Sequence, residues 1–228
     1  MAAGSNRINL SVSEVEKDLG VFVDHDLSFK HHISQATAKA NRVLGVIRRS
    51  FDYLEPQTFC QLYKSLVRPL LEYGHSVWQP RLKGLCQDIE DVQRRATRLM
   101  PGMKDMTYEE RLKSLNLPSL EHRRLRGDMI DTYKYVHHKY EANRPVLPPA
   151  PDAGTRGHEY KLFRNFTSST MRTAYFSRRV VSNWNSLPSH VVTAPNVDTF
   201  KGRLDSHYKQ SPDIHRFAPQ CYIKFSKM

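Results

Sequence analysis

With 228 residues, the chain can bury a core as one domain or two small ones. Its 39% hydrophobic and 25% charged content argues against a disordered chain, and no apolar run approaches the ~18 residues needed to cross a bilayer. Lys and Arg number 35 against 23 Asp and Glu, a net charge of +12, which points to polyanionic partners without specifying a fold.

The opening stretch, "MAAGSNRINLSVSEVEKDLG", has no apolar h-region, so no signal peptide is expected. A strand is predicted at Val21 to Val23, running into an Asp-rich turn at Asp24 and Asp26. A helix then opens near His32. Ile33, Ala36, Ala40, Leu44, Ile47 and Phe51 make its apolar stripe at spacings of three and four. Lys39, Arg42 and Arg49 share another face. Pro56 suits the first position of the next helix, whose buried side runs from Phe59 to Val67 and is expected to end at Pro69. "LLEYGHSVWQP", residues 70–80, reads as a packed aromatic turn.

A third helix is predicted from about Leu85 to Met100, with Ile89, Val92, Ala96 and Leu99 inward and Arg94, Arg95 and Arg98 outward. "TYEERLKSL" carries a capping box, Thr107 with Glu110 three residues on. Ser119 is the expected cap of a longer helix with Leu125, Met129, Tyr133 and Val136 as its stripe. Its start, "EHRRLRG", places Arg123, Arg124 and Arg126 where the macrodipole disfavours cations by about 0.3–1 kcal/mol each. Such a cluster needs either carboxylate partners, of which Glu121 is one, or an anion to bind.

Residues 141–157, "EANRPVLPPAPDAGTRG", hold four prolines and two glycines and read as a linker. Beyond it a strand is predicted at "HEYKLF", a helix from about Met171 to Trp184, and a last helix from about Val197 to Tyr208. Phe176, Val180 and Trp184 step by four, which puts Trp184 in a core.

Little in the sequence points to chemistry. Asp24 and Asp26 after a strand invite a two-metal reading, but Asp in "DHD" also makes turns and caps helices, the reading preferred here. The histidine pairs 31/32 and 137/138 point about 100° apart on a helix and cannot chelate together, so surface positions are expected. GxSxG, P-loop, HExxH and GxGxxG motifs are absent from the sequence. Cys60, Cys86 and Cys221 are odd in number and match no zinc spacing, which suits a reduced compartment, nucleus or cytoplasm, rather than secretion. No catalytic residue, metal or cofactor is expected.

The segments "KDLGVFVDHDLSFKHHI", "ANRVLGVIRRSF", "LYKSLVRPLLEYGHSVWQP", "DVQRRATRLMPGM", "YEERLKSLNLPSLEHRRLRGDMIDTYK", "RTAYFSRRVVSNWNSLP" and "FKGRLD" are collinear over roughly residues 10 to 209. Together they resemble the C-terminal third of reverse transcriptases from non-LTR, LINE-type retrotransposons of the jockey-like group. The resemblance implies a mainly α fold: a thumb-like helical bundle preceded by a short β segment, with a small α or α+β C-terminal subdomain. It implies that residues 1–31 are a remnant of the palm edge, 32–140 the thumb and 158–209 a post-thumb subdomain, with 210–228 as a tail. The family's catalytic Asp-Asp motif, fingers and endonuclease have no counterpart in these segments. Asn116 stands where a Gly is common in the family, and Gly74 where a Cys is common.

The expected activity is non-catalytic binding of RNA or an RNA–DNA duplex through backbone phosphates. The residues expected to carry it are Lys39, Arg42, Arg49, Arg94, Arg95, Arg98, Arg123, Arg124 and Arg126. Two rivals stand beside it. One is a helical protein-interaction module that captures a partner or self-associates through surface the missing palm would cover. The other is a retroelement relic without selected function.

Overall fold

The structure, a computed structural model, describes residues 13–140, 147–151, 157–164 and 169–209. It is mainly helical, with a short antiparallel sheet at the start. Strands β1 (Val15–Asp18) and β2 (Val21–Asp24) pair with Asp18 opposite Val21. Leu19 and Gly20 alone connect them, at φ 43° and 86°. Positive φ at both positions gives a turn whose twist matches the strands it joins. Leucine is strained there, and the Tyr73 hydroxyl holds the tip by donating to the Leu19 carbonyl at 2.8 Å. The strand predicted at Val21 to Val23 is one half of a local hairpin.

Asp24 organises the entry to the first helix. Its carboxylate accepts from the Ser28 N–H and hydroxyl, both at 2.6 Å, and from the Phe29 N–H at 3.3 Å. Burial raises its pKa, but the Ser28 and Phe29 donors outweigh this and hold it below the ordinary 3.8. The turn reading of "DHD" fits this geometry. Among the described residues no group of three or more His, Cys, Asp or Glu could hold a metal.

Helix α1 (Lys30–Ser50) buries Ile33, Ala40, Leu44 and Ile47 of the expected stripe, with Ala36 half-buried. Phe51 departs from it: the helix ends at Ser50, the chain turns extended, and Phe51 is left exposed. His32, expected at the surface, is buried against Trp78, with ring centroids 5.1 Å apart.

Helix α2 (Pro56–Leu62) does not stop at Pro69. A π-helical turn, Tyr63–Val67, carries it into α3 (Arg68–Glu72). The Arg68 N–H bonds back to Tyr63, five residues earlier. This wider turn makes room for a proline that an α-helical ladder would reject. The extra turn of helix carries the chain on to Glu72. Helix α4 (His75–Trp78) follows, entered through Gly74 at φ 66°. A Cβ on Gly74 would stand 3.2 Å from Val21 Cγ2, so a larger residue there would press on the hairpin.

Helix α5 (Lys83–Arg98) lies against α1. Helix α6 (Tyr108–Ser114) begins at the expected capping box: the Glu110 N–H donates to Thr107 Oγ1, and the Thr107 N–H donates to Glu110 at 2.7 Å. After α6, Asn116 sits at φ 48°, the left-handed region that Gly fills freely and Asn tolerates. Helix α7 (Leu120–Val136) starts at Ser119, whose hydroxyl accepts from the His122 N–H.

Two cores result. The first joins the hairpin and α1 to α6, and ends at Leu120. The second begins at Met129 on the same helix and gathers Val180, Trp184, Val192, Phe200 and Leu204. At 17 residues, α7 is about 25 Å long, enough to lie across both. The division between cores therefore falls inside α7 rather than at 141–157. Residues 141–146 and 152–156 of that segment, and the tail from 210, lie outside the described residues. Leu147 is buried in the second core, and Pro149 bridges to Leu162.

The last four helices are α8 (Thr170–Thr173), α9 (Phe176–Asn185), α10 (Ser189–Val192) and α11 (Val197–Lys209). The single helix expected from Met171 is broken at Ala174 and Tyr175. Arg179 Nη1 donates to the Ala174 carbonyl at 2.9 Å, satisfying an acceptor the break leaves open. "HEYKLF" forms only the bridge at Leu162, not a strand.

Candidate nucleic-acid interface

Helix α5 is divided lengthwise. Ile89, Val92 and Ala96 are buried in the first core, while Asp91, Arg94, Arg95 and Arg98, at i, i+3, i+4 and i+7, make one stripe on another side. These four residues line an open hollow of about 420 Å³. Arg95 and Arg98 are exposed and Arg94 is half-buried. Asp91 Oδ1 accepts from Gln87 Nε2 at 2.7 Å and lies 3.5 Å from Arg94 Nη1. Arg95 Nε donates to the Asp91 carbonyl at 3.3 Å.

A buried polar network supports this stripe. Arg94 lies 5.0 Å from the Tyr108 ring centroid and Arg111 lies 5.8 Å from it, within cation–π range. The Tyr108 hydroxyl donates to Glu90 at 2.5 Å, and Gln93 Nε2 bonds Tyr108 and the Pro118 carbonyl, both at 3.0 Å. Tyr63 donates to Gln93 Oε1 at 2.7 Å. Glu90 also accepts from the Leu120 N–H, which ties α5 to the start of α7. Burial pushes the Glu90 carboxyl above its ordinary 4.5, against the hydrogen bonds and the charge of Arg124. Arg111 is buried, with Nε donating to Thr97 at 3.0 Å and Nη1 to the Met106 carbonyl at 2.6 Å. Burial, then the charges of Arg98 and Arg94, lower its pKa, although Tyr108 opposes them.

On α1, Lys39, Arg42 and Arg49 are all exposed, as their spacing suggests. The α7 arginines are placed differently. Arg123 forms a two-pronged bond to Glu72, with Nη2 to Oε2 at 2.9 Å and a shorter bond from Nε to Oε1. Burial lowers the Arg123 pKa, but Glu72 outweighs it and holds the guanidinium above its ordinary value. Arg126 bonds Asp205 on α11 in the same way, at 2.5 and 2.8 Å. Arg124 is 1% exposed, inside the fold beside Glu90. These three do not form an open guanidinium cluster. Their carboxylates come from 51 and 79 residues away, beyond the reach of any local reading.

A second charged group escaped the sequence reading altogether. Arg179 on α9 bonds Asp128 on α7 through two contacts of 2.8 Å, both side chains almost fully buried. Arg179 also donates to the Ser76 carbonyl at 3.0 Å. His75 Nε2 lies 3.5 Å from Asp128 Oδ1, long for a hydrogen bond. Burial raises the Asp128 pKa, but His75 and Arg179 outweigh it and hold the carboxyl below 3.8. Asp128 beside the core residue Met129 was the one signal available: a charge adjoining an apolar stripe invites a buried partner.

No family model matches the chain, and no solved structure matches it. The uncharacterized protein B0403.1 of Caenorhabditis elegans is 30% identical over 111 residues, covering 47% of this chain. The match covers 56% of that relative, so the chain spans little more than half of its length.

Proposed function

We propose that the chain is a non-catalytic, thumb-like module that binds RNA or an RNA–DNA hybrid through backbone phosphates. The observation that carries this reading is the α5 stripe. Three guanidiniums line one open hollow, and the exposed Lys39, Arg42 and Arg49 stand on the neighbouring helix. Arginine's planar fork suits phosphate oxygens, and a net charge of +12 adds long-range attraction. The resemblance to the thumb of LINE-type reverse transcriptases supports the same reading. The family's paired catalytic aspartates have no counterpart in the resembling segments, and Asp24 is engaged with Ser28 and Phe29.

The test is a binding titration with an RNA–DNA hybrid at several salt concentrations. With the α7 arginines occupied internally, about three phosphates are neutralised, giving a log–log slope near −3 on duplex at ~0.9 per phosphate. Affinity changes little with sequence, because phosphate contacts position a protein without reading bases. A slope near zero overturns the proposal.

One observation favours a protein-interaction module instead. Leu19, Tyr73 and Val77 are 84%, 60% and 60% exposed, and Tyr73 is bonded to Leu19. Dimerisation lost on changing Tyr73→Ser, together with a flat salt response, would put that reading first.

A further inference from the structure

Asp91 sits awkwardly in a phosphate site. A carboxylate among three guanidiniums repels a passing phosphate, yet it lines the same hollow as Arg94, Arg95 and Arg98. Its Oδ1 is fixed by Gln87 at 2.7 Å, while its contact with Arg94, at 3.5 Å, is long for a hydrogen bond. Among the described residues, no donor bonds Oδ2. A half-exposed carboxylate with an open oxygen suits a neutral donor carried between phosphates. The ribose 2′-hydroxyl is that donor, and it is the group that distinguishes RNA from DNA. The spacing allows it: Asp91 and Arg98 are about 10 Å apart along the helix axis at ~1.5 Å per residue, room for a nucleotide unit.

We propose that Asp91 selects an RNA strand by accepting a hydrogen bond from a ribose 2′-hydroxyl while Arg94, Arg95 and Arg98 hold the flanking phosphates. The proposal rests on the nucleic-acid reading of α5 and narrows its ligand to a ribose-containing strand. It names a contact that opposes general phosphate binding, so its signature differs from that of the arginines.

The experiment titrates the full chain with three strands of one sequence: RNA, its 2′-O-methyl analogue and DNA. The methylated strand keeps the 2′-oxygen and loses its proton, so it isolates the donor. Wild type should bind RNA about tenfold tighter than either other strand, a ratio expected for one charge-assisted hydrogen bond. Asp91→Ala should tighten the methylated and deoxy strands, by removing repulsion, and bring the ratio to about one. Asp91→Glu, which keeps the carboxylate, should restore part of the preference. Equal wild-type affinity for the three strands overturns the proposal, as does a preference that survives Asp91→Ala. Either result would leave Asp91 as an intrahelical partner of Arg94. If neither these strands nor the RNA–DNA hybrid binds, the nucleic-acid reading itself falls.

Discussion

Helices α5 and α7 carry nearly the same signal, three arginines within four or five residues, and the fold treats them in opposite ways. On α5, Arg94, Arg95 and Arg98 line an open hollow. On α7, Arg123 and Arg126 are each held by two bonds to a carboxylate, and Arg124 is buried. The difference does not lie in the arginines. It lies in what stands opposite: α7 spans both cores and meets α3 and α11, which offer Glu72 to Arg123 and Asp205 to Arg126. Among the described residues, the carboxylate that lines the α5 hollow is the stripe's own Asp91. An arginine cluster is therefore a demand for negative charge, and the remaining fold decides whether the protein itself supplies it.

Substitutions should separate the two helices. The largest effect is expected where α7 meets α9. Asp128→Ala leaves the Arg179 guanidinium buried without its carboxylate and should cost about 3–5 kcal/mol of stability, read as a lowered midpoint in urea denaturation. A midpoint within experimental error of wild type would show that Arg179 finds other acceptors. Next come Arg123→Ala and Arg126→Ala. Each breaks a partly buried two-pronged bond and should destabilise by about 1.5–3 kcal/mol, with little direct effect on the salt slope of binding once the protein is folded. A flattened slope at unchanged stability would return these arginines to the interface.

The α5 variant should behave in the reverse sense. Arg95→Ala/Arg98→Ala should weaken hybrid binding about tenfold, or ~1.4 kcal/mol, and flatten the log–log slope by about 2. Its thermal midpoint should stay close to wild type, since surface substitutions cost little. A large fall in midpoint would mean that α5 and α7 do not differ as described.

The smallest effect concerns Asp24, an exposed-side charge engaged by neighbours. Its folded pKa is depressed below 3.8, so its contribution is present above the unfolded value and is lost as pH falls through the folded one. Asp24→Asn should therefore cost about 0.5–1 kcal/mol near neutrality and converge with wild type in acid. Curves that remain parallel down to pH 2 would assign the loss to shape rather than charge.

Elements with local causes were legible in the sequence. The stripe of α1, the capping box at Thr107, the Ser119 cap and the burial of Trp184 all follow from spacing and capping chemistry. So does the exposure of Lys39, Arg42 and Arg49, because a helix face is fixed by its 3.6-residue period. The misreadings have local causes too. Helix α3 continues past Pro69 because a π turn absorbs the proline, and the helix expected from Met171 breaks where Arg179 takes the Ala174 carbonyl.

The sequence by itself determined that the chain is helical, basic and built on amphipathic stripes, since these depend on neighbours within about four residues. Only the tertiary structure decided which arginine cluster stays open to water and which is taken up inside the fold. Glu72, Asp128 and Asp205 reach their arginines across 51 or more residues. Such pairings depend on where folded helices come to rest, which no local pattern encodes.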